Sequence, residues 1–239
     1  CHAVLAFDDG LYAEHGTFGL SDWISRLDAG MVAQATGLSK EAVAQIPPAE
    51  VYIRQGEIIG LDTPQARVYV ATLQPHMPSR SPNGHATNRV LVYLDDGVMT
   101  RQEDTDTQTV TFHRGDVRWR PASGAYVAEN TSDHPIRILE IDLKGPPAGP
   151  APVTTLDPSV VDARHYKVLF ENDHVRVLRV HYDARETGAQ HQHMLNRIVV
   201  YLNDQPGAKA DDVRMSGPAT HTEQNASDQP ADRIAVELK

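Results

Sequence analysis

A chain of 239 residues is long enough for one or two domains, each able to bury a core of its own. A formal charge of −10 and a pI near 5.6 exclude the basic footprint that a nucleic-acid partner needs. The single cysteine excludes an internal disulfide framework and a thiolate metal site, and no apolar run approaches the roughly 20 residues of a membrane span.

That cysteine is residue 1, where Met would open an intact product, so the chain reads as processed or truncated. The cut is either an arbitrary boundary or a lipid-acylated residue exposed by signal cleavage. A cytoplasmic location is expected, with the periplasm or secretion as the alternative. Residues 1–60 are expected to form a helical arm. After the apolar residues 3–7 and a turn at Asp8-Asp9-Gly10, Ser21 and Asp22 stand where an N-cap belongs. Trp23, Ile24, Leu27, Met31 and Val32 then form an apolar stripe suited to docking. Residues 31–35 and 40–45 read as two further short helices, punctuated by Gly30, Gly37 and Ser39, and Pro47-Pro48 ends the helical region.

From Arg67 the period changes to that of half-buried strands, carried by Val68, Val70 and Leu73 and again by Val110, Phe112 and Val117. Residues 90–94 and 198–202 are continuous apolar runs suited to central strands. Residues 145–152, Gly-Pro-Pro-Ala-Gly-Pro-Ala-Pro, form a semi-rigid linker. The chain also repeats itself. His-Ala-Thr-Asn-Arg-Val-Leu-Val-Tyr-Leu-Asp-Asp at residues 85–96 is answered by His-Met-Leu-Asn-Arg-Ile-Val-Val-Tyr-Leu-Asn-Asp at 193–204, after 108 positions. Asn-Thr-Ser-Asp-His-Pro from Asn130 is answered by Asn-Ala-Ser-Asp-Gln-Pro from Asn225 after only 95, so the second copy is shorter by 13 residues. Two like domains follow, at 61–144 and 156–239, joined by residues 145–155. Short strands separated by Gly and Pro turns make each an all-β barrel or sandwich. The repeat places Tyr93 on Tyr201, Asp96 on Asp204 and Asn130 on Asn225. The acidic residues Glu103 and Asp104 lie in a hairpin that the second copy replaces with residues 205–211, leaving one wall thinner.

Gly188-Ala-Gln-His191-Gln-His193, followed by an apolar strand, resembles the first motif of the cupin superfamily, and Gly217-Pro-Ala-Thr-His221-Thr-Glu-Gln-Asn225 resembles the second. In the first copy, residues 115–130 match the second motif except for its histidine. The chain thus resembles a two-cupin protein (a bicupin). Residues 6–23 and 46–52 resemble the helical connector of oxalate decarboxylase-like bicupins. The resemblance implies tandem jelly-roll β-barrels and a divalent first-row metal (Mn, Fe, Ni or Zn), one per chain in the second barrel.

His191 and His193, one residue apart, point to the same face of a strand, and His221 arrives from a neighbour. Three imidazoles on one face suit a divalent metal with open positions; otherwise the His-Gln-His is a solvated loop end. The family's carboxylate ligand is replaced by Arg197, which cannot ligate a cation. Pointing inward, Arg197 would hold a small anionic substrate; pointing outward, it is a surface charge. Arg89 stands at the same place in the first copy. There the ligand positions fall to Asn83, His85 and Tyr126, a weak set for a transition metal, with His76 and His113 available only by chance of packing, so no metal is expected. Two functions remain open. One is an enzyme acting on a small carboxylate, either an oxalate decarboxylase-like lyase or a dioxygenase of the three-His kind. The other is a non-catalytic cupin serving ligand binding or dimerisation. A homodimer is expected, with the arm and the thinner wall covered by a partner, and deleting residues 1–45 is expected to weaken both fold and dimer.

Overall fold

The computed structural model describes residues 29–37, 39, 42–43, 58–81, 84–147, 149 and 152–239. Ser21, Asp22, Trp23, Ile24, Leu27, Pro47, Pro48 and Asn83 lie outside the described residues. Of the expected arm, helix α1 (Ala29–Thr36) is described. Gly37 ends it at φ 73°, donating its N–H to the Ala33 carbonyl at 3.0 Å, in the left-handed cap that favours glycine. Val32 is buried while Met31 is 61% exposed, which narrows the expected stripe. Among the described residues no helix is long and apolar enough to cross a membrane.

The rest is mostly β, as the two-residue rhythm predicts, and every named strand pair is antiparallel. In the N-terminal half a five-stranded sheet runs β1 (Ile58–Asp62), β2 (Ala66–Leu73), β9 (Ile136–Leu143), β4 (Arg89–Tyr93), β7 (Val117–Arg120). It faces a four-stranded sheet, β3 (Pro78–Ser81), β8 (Tyr126–Asn130), β5 (Gly97–Glu103), β6 (Asp106–Phe112). β1 starts three residues before the boundary expected at 61. The C-terminal half opens with a helical turn, α2 (Pro158–Val161), that the sequence reading missed; the Asp157 side chain accepts from the Ser159 N–H and caps it. Its five-stranded sheet runs β10 (Tyr166–Glu171), β11 (Val175–Tyr182), β16 (Ala231–Leu238), β13 (Arg197–Tyr201), β14 (Val213–Ser216). The facing sheet has only two strands, β12 (Thr187–His193) and β15 (Ala219–Gln224).

Register carries the repeat into three dimensions. Arg89 lies opposite Asp142 and Tyr93 opposite Ile138; Arg197 lies opposite Glu237 and Tyr201 opposite Arg233. Asn130 and Asn225 each donate to the carbonyl four residues on and accept from the N–H two residues on. Asp96 accepts the Arg114 N–H at 2.7 Å, and Asp204 accepts the Ala210 N–H at 2.9 Å. Most of the missing residues come from the β5–β6 hairpin, which becomes a tight turn closed by reciprocal bonds between Gln205 and Ala208.

The two large sheets press together. Val90, Val92, Leu139 and Ile141 from one half and Val177, Ile198, Val200, Ile234 and Val236 from the other form one continuous core. Asp211 fastens its edge, accepting from Arg114 Nη2 and Arg137 Nη1 of the other half, each at 2.6 Å. It does so at φ 71°, where its counterpart in the first half is Gly115 at φ 85°. Both N–H groups donate to the carbonyl of the matching tyrosine, Tyr201 or Tyr93. The second half thus keeps a left-handed turn with an aspartate in it, and the bidentate carboxylate offsets the conformational cost.

Candidate functional site

β12 brings His191 and His193 to the interior face of the C-terminal half, and His221 stands directly across from His191 on β15. The expectation of a solvated loop end is set aside: His191 is 0% and His193 2% exposed, both on a strand. Ring centroids lie 4.6 to 5.5 Å apart, and one nitrogen from each ring falls within 4.8 Å of the others. Nitrogens held about 2.0–2.2 Å from one ion stand roughly 3–4 Å apart, so small ring rotations would close the triad on a cation.

Hydrogen bonds set the tautomers. His191 Nδ1 donates to the Ala189 carbonyl at 2.9 Å, and His193 Nδ1 donates to Glu237 Oε1 at 2.9 Å. Both Nε2 lone pairs are therefore left for the interior. Burial raises the Glu237 carboxyl, but bonds from His193 and from Arg176 Nε (2.7 Å) outweigh it and hold the group below its ordinary range. A carboxylate behind a ligand imidazole fixes its orientation and raises its basicity. His221 Nε2 is buried without a partner among the described residues. An orphaned imidazole nitrogen beside two lone pairs is what a cation site requires, so the residues fit a divalent metal. Gly188 is needed here because a Cβ would collide with Asp162 and the Tyr182 hydroxyl, the pair packed beneath His191.

Burial, and after it the charge of the neighbouring imidazoles, lowers His221 to about 4; burial also lowers His191. An unfolded histidine titrates near about 6.5, so between those values the unfolded state takes up protons that the folded rings refuse. The metal-free protein is expected to keep this contribution above pH 6.5 and lose it as pH falls toward about 4. Urea midpoints measured over that interval check it, and His221→Asn is expected to flatten part of the fall.

His193 and His221 open on a cavity of about 260 Å³ lined by Tyr166, Arg197, Tyr201, Glu223 and Arg233 among others. Arg197 points inward. It is 7% exposed, its Nη1 donates to the Gly217 carbonyl at 2.6 Å, and it has no ion pair with a carboxylate among the described residues. Burial pulls its pKa down, yet a guanidinium keeps its proton. Sequence reasoning missed Glu223, although its signal was available: it follows His221 by two residues and so shares its face of β15. Glu223 accepts the Tyr166 hydroxyl at 2.8 Å and pairs with Arg233. The same hydroxyl lies 3.0 Å from His191 Nε2, so two acceptors compete for one proton. Tyr166, brought in by β10, and Arg233, from β16, could not be found without the fold.

The N-terminal half differs. His85 Nε2 meets Asp142 Oδ1 at 2.9 Å, the counterpart of the His193–Glu237 pair. His85, Glu140 and Asp142 are close enough to share an ion, but Arg89 stands 3.3 Å from Glu140 and would repel one. Tyr126 accepts from Arg89 at 3.2 Å and is covered by the Arg101 guanidinium; His76 and His113 are exposed near Asp133 and Asp96.

No protein-family model matches the chain. A curated relative, oxalate decarboxylase OxdC of Bacillus subtilis (strain 168), is 25% identical over 183 residues, 58% of this chain and 48% of that protein. The chain spans about half the length of the curated relative it matches. Among solved structures, salicylate 1,2-dioxygenase from Pseudoaminobacter salicylatoxidans is 11% identical, with a TM-score of 0.53, covering 86% of this chain and 80% of that one. AerE from Microcystis aeruginosa is 10% identical, with a TM-score of 0.52, covering 77% of this chain and 98% of that one. At these identities the structural likeness concerns the fold alone. The mostly-β jelly-roll architecture and the curated relative support the cupin superfamily for this chain.

Proposed function

We propose that the protein is a bicupin whose second barrel holds one divalent first-row metal on His191, His193 and His221 and acts on a small carboxylate. In this reading the barrels are residues 61–144 and 156–239, with 145–155 as the linker and 1–60 as the arm. The observation that carries it is the buried, partnerless Nε2 of His221 beside the two imidazoles whose tautomers aim lone pairs the same way. When bound, a cation there supplies Lewis-acid polarisation of a substrate oxygen. Arg197, charged and without an internal carboxylate, holds the substrate anion. Tyr166 and Glu223 hold a proton at the edge of the cavity: the hydroxyl donates to Glu223 Oε2, and Arg233 pairs with the same carboxylate. Glu223 is our candidate for the general acid or base.

Metal analysis after expression in supplemented medium tests the first part; less than about 0.2 ion per chain favours a binding module over a metal enzyme. Once a turnover assay exists, Glu223→Gln is expected to lower kcat by about 10²–10⁴-fold, the range of general acid–base catalysis, while metal content stays unchanged. An unaltered kcat would remove Glu223 from the proton path. We further propose a homodimer, tested by sedimentation of the full chain and of a variant lacking residues 1–45.

A further inference from the structure

The two halves fill the same interior in different ways, and the difference outlines a ligand. Inside the first half, Arg89 pairs with Glu140, Nε to Oε2 at 3.3 Å, and Tyr93 stacks on Phe112 with ring centroids 3.9 Å apart. Register identifies the counterparts. Glu140 lies opposite Leu91 on β4, and Ala235 lies opposite Val199 on β13. Arg89 and Arg197 begin those two strands, and Tyr93 and Tyr201 end them. The carboxylate that answers Arg89 therefore becomes a methyl group beside Arg197. Phe112 ends β6, a strand with no counterpart in the second half, and no aromatic ring pairs with Tyr201 among the described residues. The guanidinium carbons of Arg214 and Arg233 stand 5.2 and 5.4 Å from its ring centre, well outside the 3.9 Å of the Phe112 stack.

Both losses open onto one cavity, the one lined by Arg197, Tyr201, Ala235, His193 and His221. With a liquid water's share of about 30 Å³, its roughly 260 Å³ hold about eight waters, more room than the six heavy atoms of oxalate need. Val180, Val199 and Ala235 also give it an apolar floor that a bare dianion cannot use.

We infer that the carboxylate taken by this site is carried on a planar aromatic ring, a benzoate-class acid. Its carboxylate sits on Arg197 where Glu140 sits on Arg89, and its ring lies on Tyr201 where Phe112 lies on Tyr93. The inference rests on the carboxylate reading of the site above. Glu223, the only acidic side chain among the described residues lining the cavity, is tied to Arg233 and does not meet the incoming anion unpaired. The arginines flanking Tyr201 add attraction for an electron-rich ring.

Titration calorimetry of the full chain, metal-free and zinc-loaded, against benzoate, cyclohexanecarboxylate and oxalate tests this, with elemental analysis of the same samples. Benzoate is expected to bind about three- to tenfold tighter than cyclohexanecarboxylate, the range of one aromatic pair, and tighter than oxalate. Tyr201→Leu should erase the preference for benzoate and leave cyclohexanecarboxylate affinity in place. Ala235→Glu should restore the first half's internal pair and abolish binding of both ring acids; Tyr201→Leu carries the test alone if that variant does not fold. Equal affinity for the two ring acids, or preference for oxalate, overturns the aromatic class while leaving the metal centre intact. Absence of metal overturns the metal centre instead, and the metal-free titrations still decide the aromatic class.

Discussion

His193→Ala is expected to abolish metal loading, from about one ion per chain to about a tenth or less, as read by elemental mass spectrometry. The size of the effect follows from what stands behind this ring. His193 is 2% exposed, and its Nδ1–H is spent on Glu237 Oε1 at 2.9 Å. Glu237 in turn accepts from Arg176, which donates to Asp157 Oδ2 at 2.5 Å. That chain fixes the tautomer and the ring plane before any ion arrives, so the ligand is preorganised and its loss is not made good by a neighbour. Two imidazoles and an arginine remain, a set too poor and too positive for a first-row cation. The variant also leaves Glu237 buried with one partner fewer, which costs about 1–3 kcal/mol. Glu237→Gln separates the two effects: it keeps three imidazoles and is expected to weaken metal about 10- to 100-fold. His181→Ala, at a half-exposed position facing away from the triad, should load metal fully. Full loading of His193→Ala would mean that the cation, if bound, sits elsewhere.

How much of this was legible beforehand depends on whether the signal was local. The repeat exposed the paired sheets, since similar strings fold alike, and it placed Arg89 with Arg197 and Tyr93 with Tyr201 without any coordinates. The three imidazoles were legible because a one-residue gap on a strand selects a face. The orientation of Arg197 was not, because a strand with apolar residues on both faces gives no alternation to read; its inward turn became visible only with β13 packed between β14 and β16. Glu237 and Tyr166 lie 44 and 25 residues from the histidines they touch, on strands whose register no local pattern specifies.

The second large effect concerns how the halves are joined. Each half has a smaller interior core of its own, with Tyr93 and Phe112 in one and Tyr166 and Tyr182 in the other. The outward faces of the two five-stranded sheets are apolar as well, and Ile198, Val200, Ile234 and Val236 are covered by residues of the other half. Separating the halves would expose a continuous apolar layer, so the fold should melt in one cooperative transition. Ile198→Ala is then expected to destabilise the whole protein by about 2–5 kcal/mol, the cost of a core truncation with its cavity, and to lower the single Tm by on the order of 10 °C. Ile198 is 0% exposed at the centre of that layer, where neither sheet can collapse without shifting its partner. Val160→Ala, at a position 74% exposed, should stay within about 0.5 kcal/mol of the parent. Calorimetry showing two transitions, with Ile198→Ala moving only one, would mean that the halves fold independently and touch only incidentally. One transition moved as a unit would also bear on the site. The strand that carries Ile198 into the shared core carries Arg197 and Tyr201 into the cavity, so the packing between the halves sets the register on which the ligand-holding side chains depend.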